Sequence, residues 1–386
     1  MEEKVLAIKA ACVITPFEEL RPGIVLVQGG KVLMVGRLDH VAIPHDAQVL
    51  DVGERILAPG FVDLHIHGAV GHLASEGSEA VLEIARYLVS TGTTSWLPTV
   101  GSMPGVLGVV KARQMQQEGA CIAGIHMEGP YLAPKQLPHD KAVEPPVPTV
   151  EEFHSFLEAA QGHLRIMGVA PELENSHRVV GAMRRAGVAP AVAHSKADYD
   201  TFMRAVAAGI RHTTHAYNVM TGMHHRRPGI VGGVLTCDQL TAELIADGFH
   251  VHPVAMDVLI RCKGPERVAL ITDSVRYQGL PDGDYGRVVK EGGIVRLRGY
   301  DSSVDNTMAG SVWPLNRGVA NVAQLGGVKL RDAIRMASLT PATIAGIADQ
   351  KGSIEPGKDA DLTVIDEQVR IYMTIVGGTV VYEAGA

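Results

Sequence analysis

The sequence is short of cysteine, of positive charge and of long apolar runs, and each shortage removes a class of protein. Its four cysteines, Cys12, Cys121, Cys237 and Cys262, are scattered with no Cys-x-x-Cys spacing. That excludes a thiolate ribbon or a redox pair and suits small buried side chains in a reducing compartment. A formal net charge of −7 argues against a nucleic-acid surface, which would need a basic face. Gly, Pro or a charged residue interrupts every apolar stretch short of the roughly 20 residues that a membrane span needs. The start, Met1-Glu-Glu-Lys-Val-Leu-Ala, lacks a basic region followed by an apolar one, so no secretory signal is expected. These readings predict a cytoplasmic protein with neither membrane nor nucleic-acid partners.

What is present is ample apolar material. Hydrophobic residues make up 46% of 386 positions against 20% charged, enough for one large domain and a small one rather than a disordered chain. The first 58 residues read as short strands, with Ile24 to Gly36 forming a hairpin about Gly29-Gly30. The segments Asp361–Asp366 and Ile371–Tyr382 repeat that character around a second Gly-Gly pair, so the two ends are predicted to share one small β-sandwich domain.

Between the ends, apolar strands alternate with amphipathic helices. Strands are predicted at 61–67, 94–100, 121–127, 165–170, 189–193, 212–215, 241–246 and 268–272. Helices are predicted at 79–90, 151–160, 176–186 and 197–207. Eight such units match a TIM (β/α)8 barrel, of about 250 residues in its usual form, with a doubly wound open sheet as the competitor. The expected division is 1–58 and 356–386 for the small β domain and 59–355 for the barrel. A Gly-rich polar insertion from Thr272 to about Gly310, long enough for a lid or binding loop, precedes helices near 311–325 and 329–337.

Polar residues at the strand ends favour the barrel, because a barrel gathers such groups on one face. His65 and His67 close the first strand, and the period of two aims both to the same side, able to meet one metal ion. Glu128, His194, His215 and Asp273 follow at the ends of later strands. A single histidine there is often only buried and hydrogen-bonded, but the set is a ligand set. Imidazoles with a carboxylate and no paired thiolates suit a catalytic zinc, iron or another divalent ion. Five groups could hold one ion with a water, or two ions bridged by Glu128. His224, His225, Arg226 and Arg227 form a basic cluster that reads either as a solvated loop or as a local anion site.

Pro59-Gly-Phe-Val-Asp-Leu-His-Ile-His-Gly68, His126-Met-Glu-Gly-Pro130, Thr214-His-Ala-Tyr-Asn-Val-Met220 and Ile271-Thr-Asp-Ser274 together resemble the amidohydrolase superfamily, and within it the N-acetylglucosamine-6-phosphate deacetylase family. The similarity continues in order through Ala246-Asp-Gly-Phe-His250, Leu280-Pro-Asp-Gly283, Ala309-Gly-Ser311, Thr340-Pro-Ala342 and Gly352-Ser-Ile-Glu-Pro-Gly-Lys-Asp-Ala-Asp-Leu362. The resemblance implies metal-dependent hydrolysis of the acetamide of N-acetylglucosamine 6-phosphate to glucosamine 6-phosphate and acetate. It implies one or two divalent ions per chain, zinc first among them. His65 and His67 would take one position and Glu128, His194 and His215 the other, Glu128 standing where many relatives use a carboxylated lysine.

In the same resemblance Asp273 transfers the proton, although Thr-Asp-Ser is also ordinary capping chemistry. His139 matches a histidine that polarises the substrate carbonyl, in a local sequence that departs from the family's. Asn218, the backbone beside Val219 and Arg227 would bind the phosphate, with Arg226 the alternative to Arg227. The basic residue of that segment reaches across a dimer in the family, which implies a homodimer, and His250 would contact the sugar ring. Two departures, the loop Gly68-Ala-Val-Gly-His-Leu73 and Val219 in Asn-Val-Met, keep other substrates open, such as N-acetylgalactosamine 6-phosphate or an N-acyl amino acid. A non-catalytic scaffold would be expected to lose site residues that this chain retains.

Overall fold

Eight apolar segments become eight parallel strands that close on themselves. The structure, a computed structural model, describes residues 4–134, 144, 146–298, 308 and 310–385. The strands are β1 (Phe61–Ile66), β2 (Thr93–Val100), β3 (Ile125–Met127), β4 (Leu164–Val169), β5 (Ala189–Val192), β6 (His212–Thr213), β7 (Thr241–Ile245) and β8 (Val268–Ile271). Each pairs in parallel with the next, as in Thr99 with His126, Ala191 with His212 and Glu243 with Ala269. The seam between β8 and β1 is closed by backbone: Asp273 N–H donates to His65 O at 2.9 Å and His67 N–H to Ser274 O at 2.9 Å. Ends that meet in this way exclude the open sheet.

β1 and β2 are buried along their whole length, as strands sandwiched on both faces must be. Val62, Leu64, Leu97, Ile166, Ala191, Ile245 and Ile271 form one apolar cluster with Ala342 and Ala345. A larger one joins strand residues such as Trp96 and Met127 to helix residues such as Ile84, Phe153 and Phe156. The predicted helices are present, with differences at their ends. The one expected from Ser311 starts at Leu315, because Ser311 is held extended by hydrogen bonds from its N–H to Asp273 O and from Val275 N–H to its own carbonyl. The polar insertion is not irregular throughout: Gly283–Asp284, Val288–Glu291 and Ile294–Leu297 make a three-stranded antiparallel meander.

Strands from both ends build a small β sandwich. One sheet runs Lys31–Arg37, Gly23–Gln28, Leu6–Ala10, Gln48–Asp51 in spatial order. The other has six strands, with Ile56–Pro59 hydrogen-bonded antiparallel to Leu362–Ile365 at its centre. Ile8, Val25, Val27, Leu57, Leu362, Val364 and Ile375 pack between the sheets. The two Gly-Gly turns meet back to back, and a side chain at Gly30 would put its Cβ 3.0 Å from Gly377 O. Among the described residues no helix is long and apolar enough to cross a membrane.

A buried ion cluster ties the chain after the barrel helices to this sandwich. Lys351 Nζ lies 2.6 Å from Asp361 and 2.9 Å from Asp359, and Asp359 also holds Lys31 at 2.5 Å. Burial disfavours the ammonium, but Asp361 and Asp359 outweigh it and raise the Lys351 pKa. Burial likewise opposes the Asp359 carboxylate, and the two lysines outweigh it and lower its pKa. Replacing Lys351 by Met leaves Asp361 buried without its cation and is expected to cost about 3 kcal/mol, read from thermal unfolding at neutral pH. A lowered carboxylate pKa stabilises above the unfolded value of about 3.9 and stops doing so as pH falls through the folded value, so the difference from wild type should shrink below roughly pH 4.

Candidate metal centre

Each strand end delivers its polar residue to the same point. His67 and Glu128 directly follow β1 and β3, while His194, His215 and Asp273 lie two residues past β5, β6 and β8. Those last three adopt left-handed backbone angles, with φ of 39°, 30° and 48°, a conformation that is uncommon for non-glycine residues and clusters at functional sites.

The four imidazoles converge on the two oxygens of Glu128. Oε1 lies 3.1 Å from His194 Nε2 and 2.9 Å from His215 Nε2, and Oε2 lies 3.1 Å from His67 Nε2 and 3.6 Å from His65 Nε2. His65 and His67 bring their Nε2 atoms within 3.3 Å of each other, with Asp273 Oδ1 at 3.5 and 3.4 Å. Three candidate ligand groups result, one of His65, His67 and Asp273, one of Glu128, His194 and His215, and a fully buried one of His65, His126 and Glu243. Bare nitrogens and carboxylates this close fit a cation better than they fit each other, and the donor set is that of zinc or a similar divalent ion. Burial opposes charge on Glu128, but His65, His194 and His215 hold its pKa well below the usual range. Burial also opposes charge on His67, yet Asp273 and Glu128 raise it to about 9.

Beneath the candidate ligands lies a carboxylate that sequence reasoning missed. Glu243, on β7, is completely buried, and its Oε2 is 2.9 Å from His65 Nδ1 while Oε1 is 3.1 Å from His212 Nε2. His126 is equally buried, turns Nδ1 to Leu64 O at 2.9 Å, and is pushed by burial down to about 4, so it is neutral. An acidic residue in the middle of the apolar run Ala242-Glu-Leu-Ile-Ala246 was the available signal.

Above the ligands opens a cavity of about 910 Å³, within the range that accepts a small molecule. His67, Glu128, His194, His215 and Asp273 form its floor, and Asn218, Val219 and His250 stand on its wall. His250 is oriented by Asp247, whose Oδ2 is 2.6 Å from Nδ1 and whose Oδ1 accepts the His250 N–H at 2.8 Å. Lys196, not singled out from the sequence, also lines the cavity. Arg226 and Arg227 do not; they are exposed on a tight turn in which His224 and Arg227 exchange backbone hydrogen bonds. His139 lies outside the described residues.

Comparison with known proteins places the chain in a family. The sequence model of the amidohydrolase family matches residues 56–381. The chain is 32% identical to the N-acetylglucosamine-6-phosphate deacetylase of Bacillus subtilis, over 98% of this chain and 97% of that protein. It is 33% identical to an N-acetylgalactosamine-6-phosphate deacetylase of Escherichia coli O157:H7, over 87% and 90%. Among solved structures it resembles a mutant N-acetyl-D-glucosamine-6-phosphate deacetylase of Mycobacterium smegmatis in complex with N-acetyl-D-glucosamine-6-phosphate, with a TM-score of 0.88, 28% identity and coverage of 98% and 99%.

Proposed function

The chain belongs to the amidohydrolase family, and from that premise we propose that it removes acetate from N-acetylglucosamine 6-phosphate, leaving glucosamine 6-phosphate. The observation that carries this is the single carboxylate, Glu128, placed between two histidine pairs on the floor of a substrate-sized cavity. His65 and His67 would hold one divalent ion, Glu128, His194 and His215 the other, with zinc the first choice. A divalent ion held there supplies Lewis acidity, which brings a water towards ionisation near neutral pH and polarises the amide carbonyl.

The chain's own groups supply the rest. Asp273 faces the same point, and although burial pushes its pKa up, His65 and His67 bring it to about 2, so it stands as a base at neutral pH. It takes the proton of the attacking water and delivers it to the departing amine. His139 is assigned to the carbonyl oxygen. His250, held by Asp247 with Nε2 free of that contact, is assigned to the sugar ring, and Asn218 with the backbone beside Val219 to the phosphate. Arg227 sits on an exposed turn rather than on the cavity wall, which supports a homodimer in which it serves the partner's cavity. A phosphorylated sugar as substrate would suit a reaction in the cytoplasm.

Acetate release by zinc-reconstituted protein tests this, with N-acetylglucosamine 6-phosphate, its galactosamine epimer and the unphosphorylated sugar side by side. Turnover confined to phosphorylated sugars is expected, and no turnover of any would overturn the substrate. The near-equal identity to glucosamine and galactosamine enzymes makes the epimer the second reading. Arg227→Ala is expected to lower kcat/KM for the phosphosugar by about 10- to 150-fold, the worth of one or two charge-assisted contacts. Lys196→Ala, measured alongside, shows which cation carries the phosphate.

A further inference from the structure

Glu243 has no solvent exposure and its oxygens do not reach the cavity, yet every contact its carboxylate makes is with a candidate ligand or another buried histidine. Oε2 faces His65 Nδ1 at 2.9 Å and accepts the His215 backbone N–H at 3.1 Å. Oε1 faces His212 Nε2 at 3.1 Å, and His212 is anchored from behind by Thr241 Oγ1, 2.7 Å from its Nδ1. A carboxylate is expensive to bury, so a fully buried one that never meets substrate has its use inside the barrel.

That use follows from the two faces of an imidazole. A ring that donates Nδ1–H to a carboxylate cannot flip, carries its lone pair on Nε2, and is a stronger base there. His65 Nε2 is the atom that faces His67, Glu128 and Asp273. The support is unequal between the two ligand groups. Glu243 grips the His65 ring itself, whereas it touches His215 only at the backbone, and His215 Nδ1 is buried with no hydrogen-bond partner among the described residues. We propose that Glu243, braced by His212, is a positioning residue for the His65–His67 metal position and sets whether the chain keeps a second ion. This rests on the two-ion reading above.

The test compares wild type with Glu243→Gln, which keeps an acceptor and loses the charge, and Glu243→Leu, which loses both. Ions per chain are counted by elemental analysis, affinities come from competition with a chromophoric chelator, and cobalt absorption bands report each position. Wild type is expected to bind two ions. The variants should keep one at unchanged affinity and hold the other about 10-fold (Gln) to 100-fold (Leu) more weakly. Variants that bind both ions like wild type, or weaken both equally, overturn the proposal. A wild type that saturates at one ion overturns the two-ion reading, and the proposal with it, before any variant is compared. Should the variants fail to fold, nitrogen-15 histidine spectra of the zinc-loaded wild type decide. Coordination of His65 through Nε2 with a slowly exchanging Nδ1–H supports the assignment, and coordination through Nδ1 overturns it.

Discussion

Asp273→Asn is expected to lower kcat by about 10²–10⁴-fold, the usual worth of a positioned acid–base group, with KM and bound metal close to wild type. The amide keeps the shape of the side chain and its backbone bonds at the barrel seam, where Asp273 N–H meets His65 O and Asp273 O accepts from Ser311. What it loses is the ability to take a proton. Its place 3.4–3.5 Å from both His65 and His67 leaves another possibility, that it is a ligand first. Metal analysis separates the two: an inactive variant with full metal content supports proton transfer, and one that sheds an ion makes Asp273 a ligand. More than a tenth of wild-type activity with metal bound would sink the acid–base role.

The second large effect is at Glu128. Each of its oxygens faces two imidazoles, so Glu128→Ala removes the one group common to both positions and leaves four histidines facing each other. Both ions are expected to be lost, and activity with them, to the level of the uncatalysed reaction. Chelator-treated wild type should recover on adding zinc, while the variant should not. This differs from the effect expected at Glu243, where a single ion is weakened. A Glu128 variant that kept one full ion at wild-type affinity would show that Glu128 does not bridge.

Much of this site was legible because its candidate ligands interrupt apolar runs at strand ends, where a polar side chain has few structural reasons to be. His65, His194 and His215 stand out in the sequence for that reason, and a barrel brings such positions together whatever the connecting helices do. Glu243 was hidden by the same logic, since one acid inside a strand reads as an exposed alternate until the strand is known to be buried on both faces. Local pattern also failed at the helix Gly229–Thr236, whose sequence Gly-Ile-Val-Gly-Gly-Val-Leu-Thr has poor intrinsic helix propensity. The fold needs the glycines for space: a Cβ at Gly233 would lie 2.7 Å from the ring of Phe202. The helix Met103–Met115 carried readable signals, a Ser102 cap accepting the Gly105 N–H and Pro104 in the first turn, but only a weak apolar stripe.

The pairing of Ile56–Pro59 with Leu362–Ile365 has a consequence for how the chain is made. The two strands are about 300 positions apart, and a ribosome adding ~5–20 residues per second needs roughly 15–60 s to travel from one to the other. Throughout that interval the edge of the early strand that will meet Leu362–Ile365 stays open, although its other edge can already pair with Cys12–Ile14. The sandwich therefore cannot close until Leu362–Ile365 has been made, and a strand written early in the chain depends on one written some 300 positions later.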